Sequence, residues 1–484
     1  MKNNFLAYSK RQLIDGFKNI YSNKVVLMFL ILCIIGISTT GKPLSYTVSE
    51  VITRFGRNTF LVLSLIIPVL AGLGLNFGIV VGAMAAQISI FFVIYWGFTG
   101  ISGLILCALL STPISILFGF LVGCLYNKTK GSEMITGMVV AYCADGLYQL
   151  FFLFILGGII PIMDTTLMIA GGVGVKNTID LTGNLKYSLD NVSMLLLLRL
   201  LLILYVVVCV ANIIIRKKKE SNSLPKLLLG KIIGTLLLLL LTLIPAIRDF
   251  LGEDRLLLLN AITIGCVLAI LYAVIKISVI KFIQKQSGIE INRYIAIIIV
   301  AGIIYALTYI PVLYEITLSI SLPVCTYACI LLICGFNRWI LSTKLGQNMR
   351  TVGQSRTVAN SAGINVNKTR IIAMCISTVL ASWGQLVYLQ NLGTFSTYGA
   401  HSMVGQYAIA ALLVGGASVQ MANNKQAILG IILFHTLFVV SPLSASNLFG
   451  SSLIGEYFRV FICFGVIALA LAMHAWKTVK KSVK

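Results

Sequence analysis

A polar, basic loop at residues 343–370 separates two long apolar segments and contains no Asp or Glu. A run of small residues, 359–364, lies in its middle and would let a partner approach the backbone closely. Retention of basic loops in the cytoplasm explains the charge, but it does not explain the small residues. From the residues alone, a docking surface and an ordinary cytoplasmic loop are equally supported. The basic residues are Lys344, Arg350, Arg356, Lys368 and Arg370.

Polar side chains within Gly-rich apolar segments are candidates for lining the path of a polar solute. Gly72, Gly74, Gly78 and Gly82 would permit close helix approach or local unwinding around such a path. The same polar groups would serve equally well as hydrogen bonds between helices, so each one has both interpretations. The candidates are Asn76, Gln87, Asp145, Gln385, Tyr388, Gln390 and Gln406.

Asp145 is an acid well inside an apolar segment, where a charge is costly and often functional. It either binds solute or pairs with a basic residue, and the pairing is the favoured interpretation. No series of buried carboxylates indicates a proton relay, and His401, His435 and His474 are interpreted as loop or packing residues. The 11 Cys include no CxxC pair and are interpreted as small hydrophobic residues, so we predict neither catalytic residues nor a metal site.

The composition is that of a membrane protein. The 484 residues are 58% hydrophobic and 11% charged, with a mean hydropathy of +0.99, whereas soluble domains carry about 25% charged residues. The fold class expected is therefore an all-α polytopic bundle, because helices satisfy their own backbone hydrogen bonds in lipid. The net charge of +23 lies in short loops, which favours anionic membrane lipid over nucleic acid as its partner.

Apolar segments of about 20 residues predict about fourteen transmembrane helices, within a range of 10–14. Alternating them from a cytoplasmic N-terminus places 28 of the 37 Lys and Arg in or beside inside loops, and only seven in outside loops. This asymmetry predicts that both termini are cytoplasmic. The apolar stretch 25–41 is interpreted as a retained first span rather than a cleaved signal peptide. The predicted spans are 25–41, 59–75, 77–97, 103–126, 134–160, 193–215, 227–247, 256–278, 294–310, 317–336, 371–390, 404–419, 426–446 and 457–476.

The Gly density of 59–97 and 404–419 makes broken or re-entrant helices an expectation there. A long polar loop at about 161–192 is expected outside, either as a cap that touches an external partner or as a connector. The chain divides into N-terminal spans (1–126), spans flanking this loop (127–226), four further spans (227–336), the basic loop (337–370) and the C-terminal spans with a basic tail (371–484).

Two motifs resemble the permease subunits of ABC importers of the branched-chain amino acid, simple sugar and nucleoside group. The first is the basic loop, with Arg350, then Val352-Gly353, a closing AGINV at 362–366, and Lys368 and Arg370. The second is YAIAALLVGGAS at 407–418, followed by Gly430. The stretch AGLGLNFGIVVGAMAAQ at 71–87 is similar to an early segment of the same family, and GSEMITGMVVAYCADGLYQ at 131–149 is similar to its nucleoside branch.

The resemblance implies a permease subunit that imports a small polar solute by alternating access. ATP and Mg would be bound by a separate ABC ATPase subunit, because this chain has no GxxxxGK[ST] motif. The other partners implied are a second permease subunit, the same or a paralogue, and an extracellular lipoprotein or periplasmic protein that binds substrate. The location implied is the bacterial plasma (inner) membrane.

In this interpretation a short helix of the basic loop docks into the ATPase. Its cations would pair with carboxylates on that partner, and Gly363 would end the helix in a left-handed turn. The ATPase-coupling residues predicted on this basis are Arg350, Gly353, Arg356, Ala359, Ala362, Gly363 and Ile364.

Segment 227–336 departs from the family pattern, since relatives would reach the basic loop soon after the span at 193–215. Its role stays open, including that of a non-catalytic scaffold. For the substrate, the short segment 131–149 favours nucleosides, then simple sugars, then branched-chain amino acids. The other classes considered are an ion-coupled secondary transporter and a membrane-embedded enzyme, for which the outside loops show no marked His-acid spacing.

Overall fold

The computed structural model describes residues 24–129, 131–162, 164–170, 173–218, 226–280 and 288–482. Within these residues the chain is mainly helical, as expected for segments that must pair their own backbone groups in lipid. A π-helical segment, Phe151–Ile159, continues α6. The helices are α1 (Lys24–Thr39), α2 (Leu44–Ser64), α3 (Ile66–Leu70), α4 (Ile79–Tyr95), α5 (Gly100–Lys128), α6 (Glu133–Leu150), α7 (Met194–Lys218), α8 (Lys226–Leu241), α9 (Pro245–Gly252), α10 (Leu258–Val279), α11 (Gly288–Leu307), α12 (Pro311–Ser319), α13 (Val324–Ser342), α14 (Lys344–Gln354), α15 (Arg356–Ser361), α16 (Val366–Leu392), α17 (Ser402–Val414), α18 (Asn424–Phe449) and α19 (Ser452–Ser482).

Eight helices of the described chain are long and apolar enough to cross a membrane, or nine if a bent pair forms one span. The chain is therefore a multi-pass membrane protein, while the predicted count of fourteen is not reached. Every predicted span contains a helix, but several of these helices are too short to cross alone. The shorter apolar helices include α1, α4 and α17, together with part of α8.

The centre of the bundle is α16, which packs against α2, α4 and α5. Glycines on α16 and on its neighbours allow this close approach. A Cβ added at Gly119 of α5 would lie 2.8 Å from the Cα of Cys375, and one at Gly384 of α16 would lie 2.9 Å from Leu61 Cγ. Small residues at helix crossings are the usual means of packing in membranes, where no hydrophobic force drives helices together.

A second group of helices forms around α18, which packs against α1, α2, α17 and α19. At the α17–α18 crossing the backbones touch, because a Cβ added at Gly415 would overlap the carbonyl of Gln426 and one at Gly430 would overlap that of Ala411. The Gly residues of the second sequence motif thus have a packing role.

The Gly-rich segment 71–78 is a break between α3 and α4, in line with the broken or re-entrant helix expected there. Gly72 and Gly74 both have φ of +70°, a left-handed backbone that favours glycine. Helix α2, which precedes α3, begins at Leu44, whereas the predicted span begins at residue 59. Arg54 and Arg57, which the predicted spans leave in the outside loop between residues 41 and 59, therefore lie on a helix, and this corrects the prediction.

Helices α8–α12 lie at the edge of this core. Helix α8 packs on α7, and α11 packs on α10. The residues Tyr294–Leu307 and Pro311–Ser319 are bent by 88° relative to one another, so the predicted span 294–310 ends at this bend. Segment 227–336 contacts the core mainly where α12 and α13 pack against α2.

Two small antiparallel sheets hold distant segments together. Strand β1 (Thr178–Asp180) pairs with β4 (Thr394–Ser396), which fastens the 164–192 loop to the end of α16. Strand β2 (Arg255–Leu257) pairs with β3 (Ser321–Pro323), which brings the two ends of segment 258–320 together. Both sheets lie at the same end of the bundle as the C-terminus of α16.

Candidate functional site

The basic loop folds into two short helices, α14 and α15, here called the basic helical pair. Each begins at a polar residue whose side chain accepts a backbone N–H. Thr343 accepts from Gly346 at 3.3 Å, and Ser355 accepts from Val358 at 3.3 Å. Asn365 caps the start of α16 in the same way, accepting from Lys368 at 2.9 Å. Three caps in about twenty residues explain why this polar segment is ordered into helices.

Gly363 ends α15 in the left-handed conformation, with φ of +74°, as the sequence predicts. The N–H of Ile364 donates to the carbonyl of Ala359 at 2.9 Å, which closes the helix end. Ile364 packs on a small apolar cluster of Val352, Ala359 and Val366. Ala359 is fully buried in this cluster. It therefore packs inward and does not face a docking partner, which corrects the role predicted for it.

The basic helical pair touches the Gly-rich break directly. A Cβ added at Gly353 would overlap the carbonyl oxygen of Leu70 and lie 3.1 Å from the nitrogen of Gly72. Conversely, a Cβ at Gly72 would lie 2.8 Å from the Cα of Gly353. Two glycines thus let the backbone of α14 rest on the backbone of the break. Gly353 serves this internal contact rather than an exposed docking face.

Glu133, Arg356 and Arg370 form an ionic cluster that we call the Glu133 cluster. Glu133 Oε1 accepts from Arg370 Nη2 at 2.7 Å and also binds Arg356. Arg370 is buried, with 1% of its side chain exposed, and its Nε and Nη1 have no partner among the described residues. The cluster joins the start of α6 to α15 and α16. It lies beside a cavity of about 520 Å³, lined in part by Gly72, Gly74 and Gly353.

This cluster corrects the prediction that Arg356 and Arg370 bind carboxylates of a partner, because Glu133 of the same chain holds both. The surface of the basic helical pair and its flanks still exposes cations and small residues. Among the predicted coupling residues, those exposed are Arg350, Ala362 and Gly363, beside which Lys344, Val358 and Lys368 are also exposed.

Asp145 lies in a cavity of about 430 Å³ between α4, α6, α17 and α19, here called the Asp145–His401 cavity. Asp145 follows the start of α6 by twelve residues, or about 18 Å along the helix axis, and is therefore near the middle of its span. Gln406 also lines the cavity, and its buried Oε1 has no hydrogen-bond partner among the described residues. Phe77 and Tyr142 supply aromatic surface.

His401 lies fully buried behind Asp145, as part of a chain of polar groups. Its Nε2 donates to Asp145 Oδ1 at 2.6 Å, and its Nδ1 lies 2.9 Å from Gln87 Oε1. Gln149 donates to the second oxygen of Asp145 at 3.1 Å. The ring of Tyr148 packs on the imidazole with centroids 4.7 Å apart. Asp145 thus pairs with His401, which lies in the turn before α17 and has this ion-pair contact in addition to the loop or packing role expected for it.

Of the seven predicted path residues, Asp145 and Gln406 line this cavity and the other five do not. Asn76 lies in the Gly-rich break, 3.4 Å from both Ser377 Oγ and Tyr126 Oη. Gln385 is fully buried within α16 and donates to the carbonyl of Ala400 at 3.4 Å. Tyr388 is nearer the end of α16, beside Arg57. These three residues contact other segments of the same chain, which is closer to their alternative interpretation as packing groups.

The predicted external loop is an ordered cap at residues 164–170 and 173–192. Besides the β1–β4 pairing, Tyr398 donates to the carbonyl of Val175 at 2.8 Å. The hydroxyl and N–H of Thr166 donate to Asp164 at 2.6 and 2.7 Å, which lowers the pKa of that carboxyl below its ordinary value. The carboxylate of Asp164 is therefore ionised at neutral pH and held in one position on the cap.

A sequence profile of the family described as "Branched-chain amino acid transport system / permease component" matches residues 221–471, just over half of the chain. The chain therefore belongs to this family of ABC transporter permeases, as its motifs predicted. The matched range includes segment 227–336 and the basic helical pair, and it begins after the 71–87 and 131–149 segments. Searches among curated proteins and among solved structures found no significant match.

Family membership makes the chain a transmembrane, non-enzymatic subunit of a transporter. It also implies an ATPase and a second permease subunit as partners, as the sequence analysis expected.

Proposed function

We propose that the chain is the permease subunit of an ATP-driven importer for a small polar solute, with nucleosides and simple sugars as the leading substrate classes. The observation that carries this proposal is the contact between Gly353 and Gly72. It joins the exposed basic helical pair to the break in the transmembrane bundle. Movement of the pair by an ATPase would thereby displace the break.

The Glu133 cluster supports the same mechanism. Because one carboxylate binds Arg356 of α15 and Arg370 of α16, a shift of the pair is passed to α6 and to the central helix. Helix α6 also carries Asp145 and lines the Asp145–His401 cavity. Helix α6 therefore connects the two proposed sites by itself. It contacts the basic helical pair through Glu133 and reaches the proposed solute site through Asp145.

The lining of the Asp145–His401 cavity supports the substrate class. Its volume of about 430 Å³ lies in the usual range for small-molecule sites. Asp145 and Gln406 offer hydrogen-bond acceptors, and Phe77 and Tyr142 offer flat apolar surface. Sugars and nucleosides combine hydroxyl donors with apolar ring faces, which suits this lining. The similarity of segment 131–149 to the nucleoside branch favours nucleosides of the two.

The proposal includes a bacterial plasma membrane location and an external substrate-binding protein. The ordered cap, held by β1 and β4, is the surface on which such a protein would dock. ATP and Mg would be bound by the ATPase, and the permease would pair with itself or a paralogue.

Gly363→Arg tests the docking surface. The chain, its candidate ATPase and its binding protein would be reconstituted in liposomes, and uptake of nucleosides and sugars measured with ATP inside. An arginine at this exposed turn would block the approach of the ATPase, so uptake and stimulated ATP hydrolysis should fall to background while the permease stays folded.

Two control variants separate docking from backbone strain. Gly450→Arg places the same side chain at another open left-handed helix end, with φ of +68°, and should retain uptake. Gly363→Asn keeps a residue that tolerates this conformation and should retain most activity. Normal uptake by Gly363→Arg, or equal loss in Gly450→Arg, would rule out docking at this turn.

The Asp145–His401 pair specifically favours a second function, ion-coupled secondary transport, since a buried His-acid pair in a span can carry a proton. The same liposomes decide between the two. Uphill uptake driven by a proton gradient in the absence of an ATPase would establish ion-coupled transport and refute ATP-driven import.

A further inference from the structure

A second polar cavity, of about 190 Å³, lies where the C-terminus of α16 meets the cap and segment 227–336. Its charged lining comes from three distant parts of the chain. Arg57 belongs to α2, Asp190 to the cap and Arg255 to β2, while Tyr187 and Asn391 complete the polar wall. We call it the Arg57–Arg255 cavity.

Asp190 is buried and already satisfied by neutral donors. Gln390 Nε2 donates to Oδ1 at 2.9 Å, Asn391 Nδ2 donates to Oδ2 at 2.6 Å, and the hydroxyl of Thr326 also donates to Oδ1. The side-chain oxygen of Asn391 in turn accepts from Arg57 Nε at 2.8 Å. Asn391 thus fixes Arg57 at the cavity while Asp190 remains out of ion-pair contact with it.

The two arginines carry an excess positive charge. Within the described part of the chain, neither Arg57 nor Arg255 is in a salt bridge, whereas Arg54, one turn before Arg57, pairs with Glu50. Arg255 lies over the ring of Tyr187, with its guanidinium carbon 5.5 Å from the ring centroid. The lining therefore holds two guanidinium groups and one carboxylate, that of Asp190, so cations are in excess there.

Tyr187 is held in an unfavourable conformation at this wall. Its φ of +55° is in the left-handed region, and no other non-glycine residue of the described chain has a positive φ. The N–H of Tyr187 donates to the carbonyl of Gln390 at 2.9 Å, which holds the cap to α16. Strain of this kind persists where the surroundings fix it and is concentrated at functional sites.

We propose that the Arg57–Arg255 cavity binds a compact oxyanion, a carboxylate or phosphate group. A guanidinium forms two parallel hydrogen bonds with either group. The cavity has the volume of roughly six water molecules at about 30 Å³ each, so one such group fits with a few waters. Segment 227–336 then has a role in anion binding, because its strand β2 places Arg255 in the lining of the cavity. The proposal goes beyond solute import and does not require it.

The test measures anion binding by the purified full-length chain in nanodiscs of zwitterionic lipid, without any ATPase. Inorganic phosphate and acetate are added at constant ionic strength with chloride, and the thermal unfolding midpoint is followed. The midpoint should rise with phosphate or acetate and saturate, because only the folded state holds the site. Chloride alone should give no saturable rise.

Arg255→Gln should raise the half-saturating concentration roughly tenfold or more, since one charge-assisted pair is lost. Arg248→Gln is the matched control, because this variant removes the same charge outside the cavity. Arg248 is an exposed arginine on α9 and pairs with Asp249. Arg57→Gln is a second test, and its unfolding midpoint without anion shows whether it folds. No saturable rise in the wild type, or equal loss in Arg255→Gln and Arg248→Gln, would overturn the site.

A further arm identifies the source of the anion. Nanodiscs containing anionic lipid should compete with phosphate if the natural ligand is a lipid headgroup, and they should leave phosphate binding unchanged if it is a soluble solute. Either result is consistent with the oxyanion site. Because transport is not measured, failure of this test leaves the proposed import function standing, and the converse also holds.

Discussion

At the scale of single residues, the Glu133 cluster has one carboxylate for two guanidinium groups. Arg370 is almost fully buried, and the charge of Glu133 compensates it at 2.7 Å. A buried cation that loses its partner is strongly destabilising, because the desolvation of the charge remains while its attraction is gone. Glu133 therefore stabilises the fold and also links α6 to the basic helical pair through its ion pair with Arg356.

Glu133→Gln should lower the stability of the chain by about 3 kcal/mol, because it keeps the volume of the side chain but removes its charge. The measurement is the thermal unfolding midpoint in detergent, which should drop by several degrees. Glu50→Gln serves as the control, since Glu50 is 39% exposed and its contact with Arg54 at 3.6 Å is loose. That variant should stay within about 1 kcal/mol of the wild type. Equal midpoints for the two variants would contradict the role of Glu133.

At the scale of elements, the contact between α14 and the 71–78 break depends on two glycines. Met349 and Val352 bury one face of α14 against the bundle, and Gly353 continues that face where the break passes closest. A short amphipathic helix resting on an irregular backbone can move as a unit with it. The fit leaves no space for even one methyl group.

Gly353→Ala should therefore disrupt coupling, since the new Cβ would overlap the backbone of Leu70, which cannot rotate away as a side chain would. ATP-driven uptake should fall at least tenfold, corresponding to about 1.4 kcal/mol or more of lost interaction. Gly335→Ala is matched to it, being on a helix, α13, with open space around its Cβ. That variant should be neutral or more stable by up to about 1 kcal/mol. Full uptake by Gly353→Ala would show that the contact transmits nothing.

At the scale of the whole molecule, the chain has two chemically different ends. The basic helical pair, the Glu133 cluster and the Gly-rich break gather at one end. The cap, both sheets and the Arg57–Arg255 cavity gather at the other, and α16 runs between them. The distribution of basic residues along the sequence predicts that the first end is cytoplasmic.

Cysteine labelling tests this orientation. Thr182→Cys in the cap and Ala362→Cys beside Gly363 are both exposed positions at opposite ends of the bundle. In intact cells a membrane-impermeant maleimide should label Thr182→Cys above the parent chain. It should label Ala362→Cys only after the membrane is opened. The reverse pattern would invert the predicted topology.

Local patterns in the sequence determined the membrane class, the approximate positions of most helices, the Gly-rich break and the turn at Gly363, because each depends on neighbouring residues. Hydropathy could not determine how many of these helices cross the membrane, since length and bending depend on packing. Local patterns also could not predict which charged residues pair with one another. Glu133 is 223 and 237 residues from the two arginines it binds, and Asp145 is 256 residues from His401. Only the tertiary fold, in which α6 packs on α4 and α5, brings these side chains within hydrogen-bond distance of one another. For this reason two cations of the basic loop, Arg356 and Arg370, form ion pairs within the chain.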